Sequence, residues 1–494
     1  MSSWVCVHVS PFVFALSVVA MSSLQQRLQQ TMNTLPAIDT LWLAYSGGVD
    51  SHVLLHLLNT LRPQLSVQTL RAIYINHQLH DAAAQWGEHC ARTCDRLGVD
   101  FQQHTVSIAL NDGKSLEAAA RTARYAVFHS LMKPEDCLVT AHHQDDQAET
   151  LLLQLFRGAG PHGLAAMPLI IEDEGIRHLR PMLNFSRDEI VAYARLHNLH
   201  WIEDSSNSNP RFDRNFLRHE VIPLLKQRWP SLSRTVSRSA QLCAESGQLL
   251  DIQAQHTLGA FQKDASHALP VTALPVMPLL QLSDIECRNV LRVWLESLGL
   301  PLPSFVQMQN IMREVLHARQ DAEPLVRWSG AEIRRYDERL YAMTPLPTHD
   351  ATQIYHWDMA TPMTINGVGR LLMAAVSTVE SESLSATRLT AADVSIRFRQ
   401  GGERCHLAGH AHSHSLKHLF QHWRIHPWLR DRVPLLFVDG ELAAVAGYGI
   451  CEGFQTARVR QSETDPTAVT GLKLIWQANA SFTDAVIKSV PKLS

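Results

Sequence analysis

The stretch Leu41-Trp42-Leu43-Ala44-Tyr45-Ser46-Gly47-Gly48-Val49-Asp50-Ser51-His52-Val53-Leu54-Leu55-His56-Leu57-Leu58 decides the reading of this chain. Residues 41–45 are an apolar run of strand length, and the apolar positions 53, 54, 57 and 58 recur with helical spacing. Two glycines turn the chain between them. A strand that passes through such a turn into a helix aims backbone N–H groups and a helix N-terminus at an anion. Gly47 and Gly48 let the backbone approach a phosphate closely, and Ser46 and Ser51 add hydroxyl donors. No Gly-Lys-Ser/Thr follows, so this is not a Walker A loop. The expected phosphate cradle is Ser46, Gly47, Gly48, Val49, Asp50 and Ser51. The competing reading is a plain Gly-Gly turn in a βα unit. The strand before it, the Asp-Ser pair and the helix after it weigh against that.

Outward from this loop, strand-like and helix-like segments alternate as far as residue 215. Residues 41–45, 70–75, 99–107 and 137–141 read as strands, and 115–132 and 146–156 as helices. Such alternation predicts an α/β fold, a doubly wound parallel sheet with both faces covered. Ligands in such sheets bind beyond the carboxyl ends of the strands. The glycine loop, Asn76-His77 and the segment after Ala141 are therefore expected to share one crevice. That segment reads His142-His143-Gln144-Asp145-Asp146-Gln147-Ala148-Glu149-Thr150. Asp146 and Glu149, three apart at a helix start, share a face, and hard oxygen ligands beside a triphosphate suit Mg²⁺. The structural alternative is an N-cap at Asp145 with Glu149 as its partner. His142 and His143 lack a second ligand pair for zinc.

Residues 220–340 turn helical, over 233–258, 285–298 and 305–316, and end in a hairpin around Ser329-Gly330. The Ser/Thr/Pro-rich stretch 345–390 reads as a linker with irregular strands. A small α+β domain follows, with strands on either side of Asp439-Gly440. The expected division is 21–219, 220–345, 346–390 and 391–494. Residues 1–20 are apolar but have no basic flank and carry His8 and Pro11, so they read as neither a signal peptide nor a span, and Met21 reads as the start. A net charge of −3 gives no global field for nucleic acid, so any RNA contact must be local. Eight scattered cysteines without a Cys-x-x-Cys pair read as reduced thiols. Seven histidines lie between His406 and His426, and suit either a metal site or an RNA-facing surface.

Four motifs occur in order: Ser46 to Ser51, Asn76-His77-Gln78-Leu79, Glu117-Ala118-Ala119-Ala120-Arg121-Thr122-Ala123-Arg124-Tyr125, and His142 to Thr150. Together they resemble the N-terminal domain of the tRNA(Ile)-lysidine synthetases, within the ATP pyrophosphatase (PP-loop) superfamily. Glu203-Asp204-Ser205-Ser206-Asn207 with Arg214-Asn215-Phe216-Leu217-Arg218 is similar to the close of that domain, and Arg430-Asp431-Arg432-Val433-Pro434-Leu435-Leu436 to the family's last one. The resemblance implies an adenine nucleotide α-hydrolase-like sheet domain, then a helical and a small α+β C-terminal domain that hold tRNA. It implies that ATP adenylates C2 of the wobble cytidine of CAU-anticodon tRNA(Ile), releasing pyrophosphate, and that L-lysine then displaces AMP. Asp50, Asp146, Glu149 and Arg214 are the implied catalytic residues. Nucleotide contacts are implied for residues 46–51, His77, Arg121 and Arg124, and Mg²⁺ ligation for Asp146 and Glu149. The implied protein is cytoplasmic, without a membrane partner, and its assembly is open to a homodimer. A tRNA thiolase is the nearest alternative, against which the missing Cys-x-x-Cys speaks. A non-catalytic nucleotide-sensing RNA-binding protein is the other, against which the intact carboxylates speak.

Overall fold

The computed structural model describes residues 24–78, 82–108, 116–173, 175–203, 212–264, 273–319, 322–376, 383–456 and 471–478. The expectations for residues 1–20, for Leu79 and for 204–207 lie outside them. The chain divides into two compact units, one up to Leu249 and one from Leu250.

The first unit is built on a six-stranded sheet in the order β3-β2-β1-β4-β6-β5. Its strands are β1 (Ile38–Ala44), β2 (Val67–Asn76), β3 (Asp100–Thr105), β4 (Cys137–Val139), β5 (Ile170–Asp173) and β6 (Ile176–Leu179). All neighbours pair parallel except β5, which closes one edge antiparallel to β6. Its helices include α1 (Val49–Leu61), α2 (Ala83–Leu97), α3 (Leu116–Leu131), α4 (Gln144–Phe156) and α5 (Arg187–Leu196). A central parallel strand is apolar on both faces, and β1 obeys this. Leu41 and Leu43 pack with Val53, Leu54 and Leu57 of α1, Cys90 and Cys94 of α2 and Ile190 and Tyr193 of α5. Trp42, between them, packs with Ile73, Leu138 and Phe128 of α3 on the opposite face. The sheet is thus doubly wound, as the alternation predicts. The chain order reverses between β1 and β4, where Leu41 pairs Cys137 and Leu43 pairs Val139. Loops leaving two such strands diverge and leave a crevice between them.

In the second unit, α6 (Leu232–Asp264), which begins in the first, is followed by helix Asp284–Ser297. The latter packs Val290, Leu291 and Trp294 beneath a four-stranded antiparallel sheet that includes the predicted hairpin, Leu325–Trp328 with Ala331–Tyr336. Residues 345–390 are more than a linker. Gly369–Val376 pairs along its whole length with Gly471–Ala478, and Trp357, Ile365 and Leu371 are buried in the C-terminal core. The last hairpin pairs Leu435–Val438 with Glu441–Val445. Asp439 (φ 49°) and Gly440 (φ 83°) supply the two left-handed positions its turn demands.

One further expectation changes here. Cys405 and Cys451 form a disulfide, with Cα atoms 6.0 Å apart, rather than two separate thiols. The bridge pairing of Leu407 with Cys451 brings them together. Two arginines of the second unit are tied to backbone carbonyls. Arg335 donates to the carbonyls of Leu316 and Ala318, and Arg432 to those of Gly367 and Pro347. Trp428 stacks on His426 beside Tyr336 and Tyr341, with Arg334 over its ring.

Candidate active site

The glycine loop links β1 to α1. Gly47 has φ +80°, a conformation L side chains rarely adopt, and a Cβ there would lie 2.6 Å from Ile202 Cδ1 and 3.0 Å from Cys90 Sγ. Its carbonyl accepts from the Ile202 N–H at 2.9 Å. Gly48 is different: its φ is −72°, and a Cβ would meet only Ser46 Oγ, at 3.5 Å. Gly48 is also the N-cap of α1 and has no side chain to satisfy the first-turn N–H groups. The Ser46 and Ser51 hydroxyls lie 3.1 Å apart, and Ser51 Oγ donates to the Gly48 carbonyl. An unfilled helix N-terminus ringed by hydroxyls is an anion site.

These two glycines separate folding from binding. Gly48→Ala is expected to melt with the wild type but bind ATP about tenfold more weakly, because the added methyl holds the phosphate off the backbone N–H groups and lengthens a hydrogen bond to a charged group. Gly47→Ala is expected to lose about 1–2 kcal/mol of stability from backbone strain alone. Thermal melts with and without ATP measure both, and a Gly48→Ala protein of unchanged affinity would show that no phosphate sits there.

Across the crevice, α4 opens with a capping box. His143 Nδ1 accepts from the Asp145 N–H at 3.2 Å, and Asp146 Oδ2 accepts from the His143 N–H at 3.0 Å. The N-cap is therefore His143, not Asp145, which instead receives Lys226 Nζ at 2.9 Å. Because His143 Nδ1 is an acceptor, its Nε2 carries the hydrogen. That nitrogen lies 3.6 Å from Asp50 Oδ1 and 3.5 Å from Asp146 Oδ2. One imidazole nitrogen thus lies near both a carboxylate of the glycine loop and one of the first turn of α4. Arg187, at the start of α5, donates to both oxygens of Asp50 at 2.9 Å.

Glu149 is fully buried. Its Oε2 accepts from Arg214 Nε at 2.8 Å and its Oε1 from Arg218 Nε at 2.6 Å, with Arg218 Nη2 also on Oε2. Arg218 Nη2 reaches Asp146 Oδ1 as well, at 2.9 Å. Burial raises the Asp146 carboxyl, but His143, His142, Arg214 and Arg218 outweigh it and hold the group well below the usual carboxylate range. The metal role expected of Glu149 does not fit, because both its oxygens are taken by guanidinium donors. Asp50 and Asp146 also carry donors, Arg187 on the first and Arg218 with the His143 N–H on the second, but unlike Glu149 both keep part of their side chain open to the crevice. Among the described residues no three His, Cys, Asp or Glu side chains are placed to hold a metal. Mg²⁺, however, usually takes one or two carboxylates and completes its shell with phosphate oxygens and water.

His77, Arg121 and Arg124 form a second group, toward α3. Arg124 Nη2 lies 3.2 Å from His77 Nε2, so that nitrogen accepts and Nδ1 bears the hydrogen. That buried Nδ1 has no partner among the described residues. Arg121 lies over the Tyr125 ring at 4.6 Å and donates to its hydroxyl.

Burial pushes His142 down to about 4, and burial with Arg180 pushes His178 down to about 3. Both folded values lie below the ordinary 6.5. Their contribution to stability is therefore complete above pH 6.5 and is lost as pH falls toward 4, at up to about 1.4 kcal/mol per pH unit for each group. The melting temperature of the first unit should be flat from pH 8 to 7 and drop below 6.5. An unchanged value at pH 5 would contradict their burial as neutral rings.

The sequence matches the PP-loop domain family over residues 20–225, the TilS substrate binding domain over 274–341 and the TilS substrate C-terminal domain over 394–464. It is 42% identical to a tRNA(Ile)-lysidine synthase of Coxiella burnetii, over 87% of this chain and 93% of that protein. The corresponding figures are 41%, 85% and 92% for the one of Pectobacterium atrosepticum, and 40%, 82% and 90% for the one of Methylococcus capsulatus. Among solved structures, a U34-tRNA thiolase of Methanococcus maripaludis covers 46% of this chain and 80% of its own, with a TM-score of 0.40 at 16% identity, too distant to bear on function.

Proposed function

The chain belongs to the tRNA(Ile)-lysidine synthase family, and from that premise we propose how its crevice carries out the ATP-dependent formation of lysidine on tRNA(Ile). The observation that supports the reading best is that Asp50 and Asp146, in the first turns of the two helices that leave the sheet's switch point, both come within 3.6 Å of His143 Nε2.

In this reading the α1 N-terminus and the Ser46 and Ser51 hydroxyls grip the pyrophosphate portion of ATP. Arg121, Arg124 and the His77 Nδ1–H face the rest of the nucleotide. Arg214 and Arg218, aimed by Glu149, hold the phosphate that becomes AMP and spread its charge through bidentate contacts. Asp50 and Asp146 would hold Mg²⁺, which supplies charge neutralisation of the phosphates. Asp146 also draws the side-chain ammonium of L-lysine into line with the activated C2 carbon, where it gives up a proton to water and attacks as the free amine while AMP leaves, since a positioned nucleophile removes much of the entropic cost of attack. Segments 220–345 and 391–494 carry the tRNA. The exposed Arg404, Lys417 and Arg424 are its candidate phosphate contacts. No helix among the described residues is long and apolar enough to cross a membrane. A cytoplasmic enzyme fits the reading, and sedimentation would decide for or against a homodimer.

Incubation with CAU-anticodon tRNA(Ile), ATP and radiolabelled lysine tests this. Label is expected to enter the tRNA, with AMP and pyrophosphate released in equal amounts. ATP turnover without label in tRNA would overturn the reading.

A further inference from the structure

Behind the carboxylates lies a buried polar chain to which the reaction as described gives no part. Thr140, just past β4, places its Oγ1 2.8 Å from His178 Nε2 of β6 and 2.7 Å from His142 Nδ1. On the far side of His178, Arg180 Nη2 and the Tyr125 hydroxyl each lie 3.2 Å from Nδ1. Arg180 is itself fixed, with Nη1 donating to the Pro168 carbonyl at 2.8 Å.

The direction of every hydrogen bond in this chain follows from one fact: a guanidinium only donates. Arg180 therefore makes His178 Nδ1 an acceptor. Tyr125, whose oxygen receives Arg121 Nη2, can turn its own hydrogen to the same nitrogen. The hydrogen of neutral His178 then sits on Nε2 and goes to Thr140 Oγ1. The Thr140 hydroxyl hydrogen has His142 Nδ1 as its acceptor. His142 is left bare at Nδ1 and protonated at Nε2.

We propose that Arg180, His178 and Thr140 form a one-way relay that locks His142 in its Nε2–H tautomer, making it a neutral hydrogen-bond donor to an oxygen of the nucleotide being activated. His142 lies within electrostatic reach of Asp146 and Arg214, at the same crevice. Its Nε2 has no hydrogen-bond partner among the described residues. Both rings are driven toward the neutral form by burial, which keeps the relay intact at physiological pH. A fixed neutral donor gives up no proton during turnover. It steadies a phosphate oxygen of the nucleotide as charge moves onto it. Thr140, His178 and Arg180 are positioning residues, acting only through His142. This assignment rests on the reading of the crevice as the lysidine-forming site.

The test uses the full-length protein with ¹⁵N in its histidine rings, His142 being identified by its disappearance in His142→Gln. Wild-type His142 is expected to show a bare Nδ1 and a protonated Nε2. In Thr140→Val, which keeps the shape and removes the hydroxyl, the two nitrogens should average. The kcat for lysidine formation should then fall about tenfold, short of the 10²–10³ that follows outright removal of such a donor. The KM for ATP should stay within about threefold, because the phosphate cradle is untouched. Thr140→Ser should restore both the spectrum and the rate. A wild-type His142 protonated at Nδ1, or a Thr140→Val enzyme with unchanged kcat, would overturn the relay. A wild-type protein that makes no lysidine would overturn the functional reading instead, and the nitrogen spectrum would still decide the relay.

Discussion

Replacing Asp146 by asparagine should lower tRNA adenylation on the order of 10³-fold while tRNA affinity stays within a few-fold. The substitution is chosen because the fold should tolerate it. Asp146 Oδ2 accepts from the His143 N–H at the start of α4, and an asparagine oxygen can do the same. What disappears is the negative charge that Arg218 and His143 face and that the substrate's cations would meet. Pyrophosphate release in the presence of tRNA gives the rate, and filter binding gives the affinity. A variant that no longer binds tRNA would make Asp146 a structural residue. One that still adenylates at a tenth of the wild-type rate would remove it from the chemistry altogether.

Glu149→Ala is expected to be the most destabilising single substitution at the site. It takes away the carboxylate that both Nε groups hold and leaves Arg214 and Arg218 to share a single oxygen of Asp146. Breaking a buried ion pair from one side costs about 3–5 kcal/mol, and both guanidiniums keep some access to water, so about 3 kcal/mol is expected. In a unit of this size that is a fall of roughly 6–12 °C in melting temperature. Glu149→Gln keeps the shape and one accepting oxygen and should fall about half as far. Both variants should lose activity, since neither holds both arginines in place. Calorimetry at pH 7.5 separates them. An alanine variant that melts within about 2 °C of the wild type would mean that the arginines re-pair with Asp146 and that Glu149 organises nothing.

The glycine loop was legible because its constraints are local. A strand, a left-handed glycine and a helix start are all written within a dozen residues, and the crevice followed from the alternation of strands and helices. Partner identity was not legible. Arg187 follows Ser186 in an ordinary capping box and looks like surface, yet its target Asp50 is 137 residues away. Glu149 read as a ligand because a carboxylate on a helix face looks the same whether it awaits a metal or holds two arginines. Its partners come from a segment more than sixty residues later. Thr140, His178 and Arg180 carry no motif, and only the adjacency of β4 and β6 makes them a chain. Residues 369–376 looked irregular because their strand partner, 471–478, lies about a hundred positions on.

The reversal of strand order between β1 and β4 also bears on how this protein is born. Leu41 must wait for Cys137 to leave the ribosome before the two can pair, and the arginines that complete the pocket emerge some eighty residues later still. Contacts so far apart form late, after the entropy of closing a long loop has been met. A nascent chain stalled before Arg214 would therefore carry the glycine turn and α4 without the two arginines that Glu149 holds, and should pass through synthesis unable to retain nucleotide until they have cleared the exit tunnel.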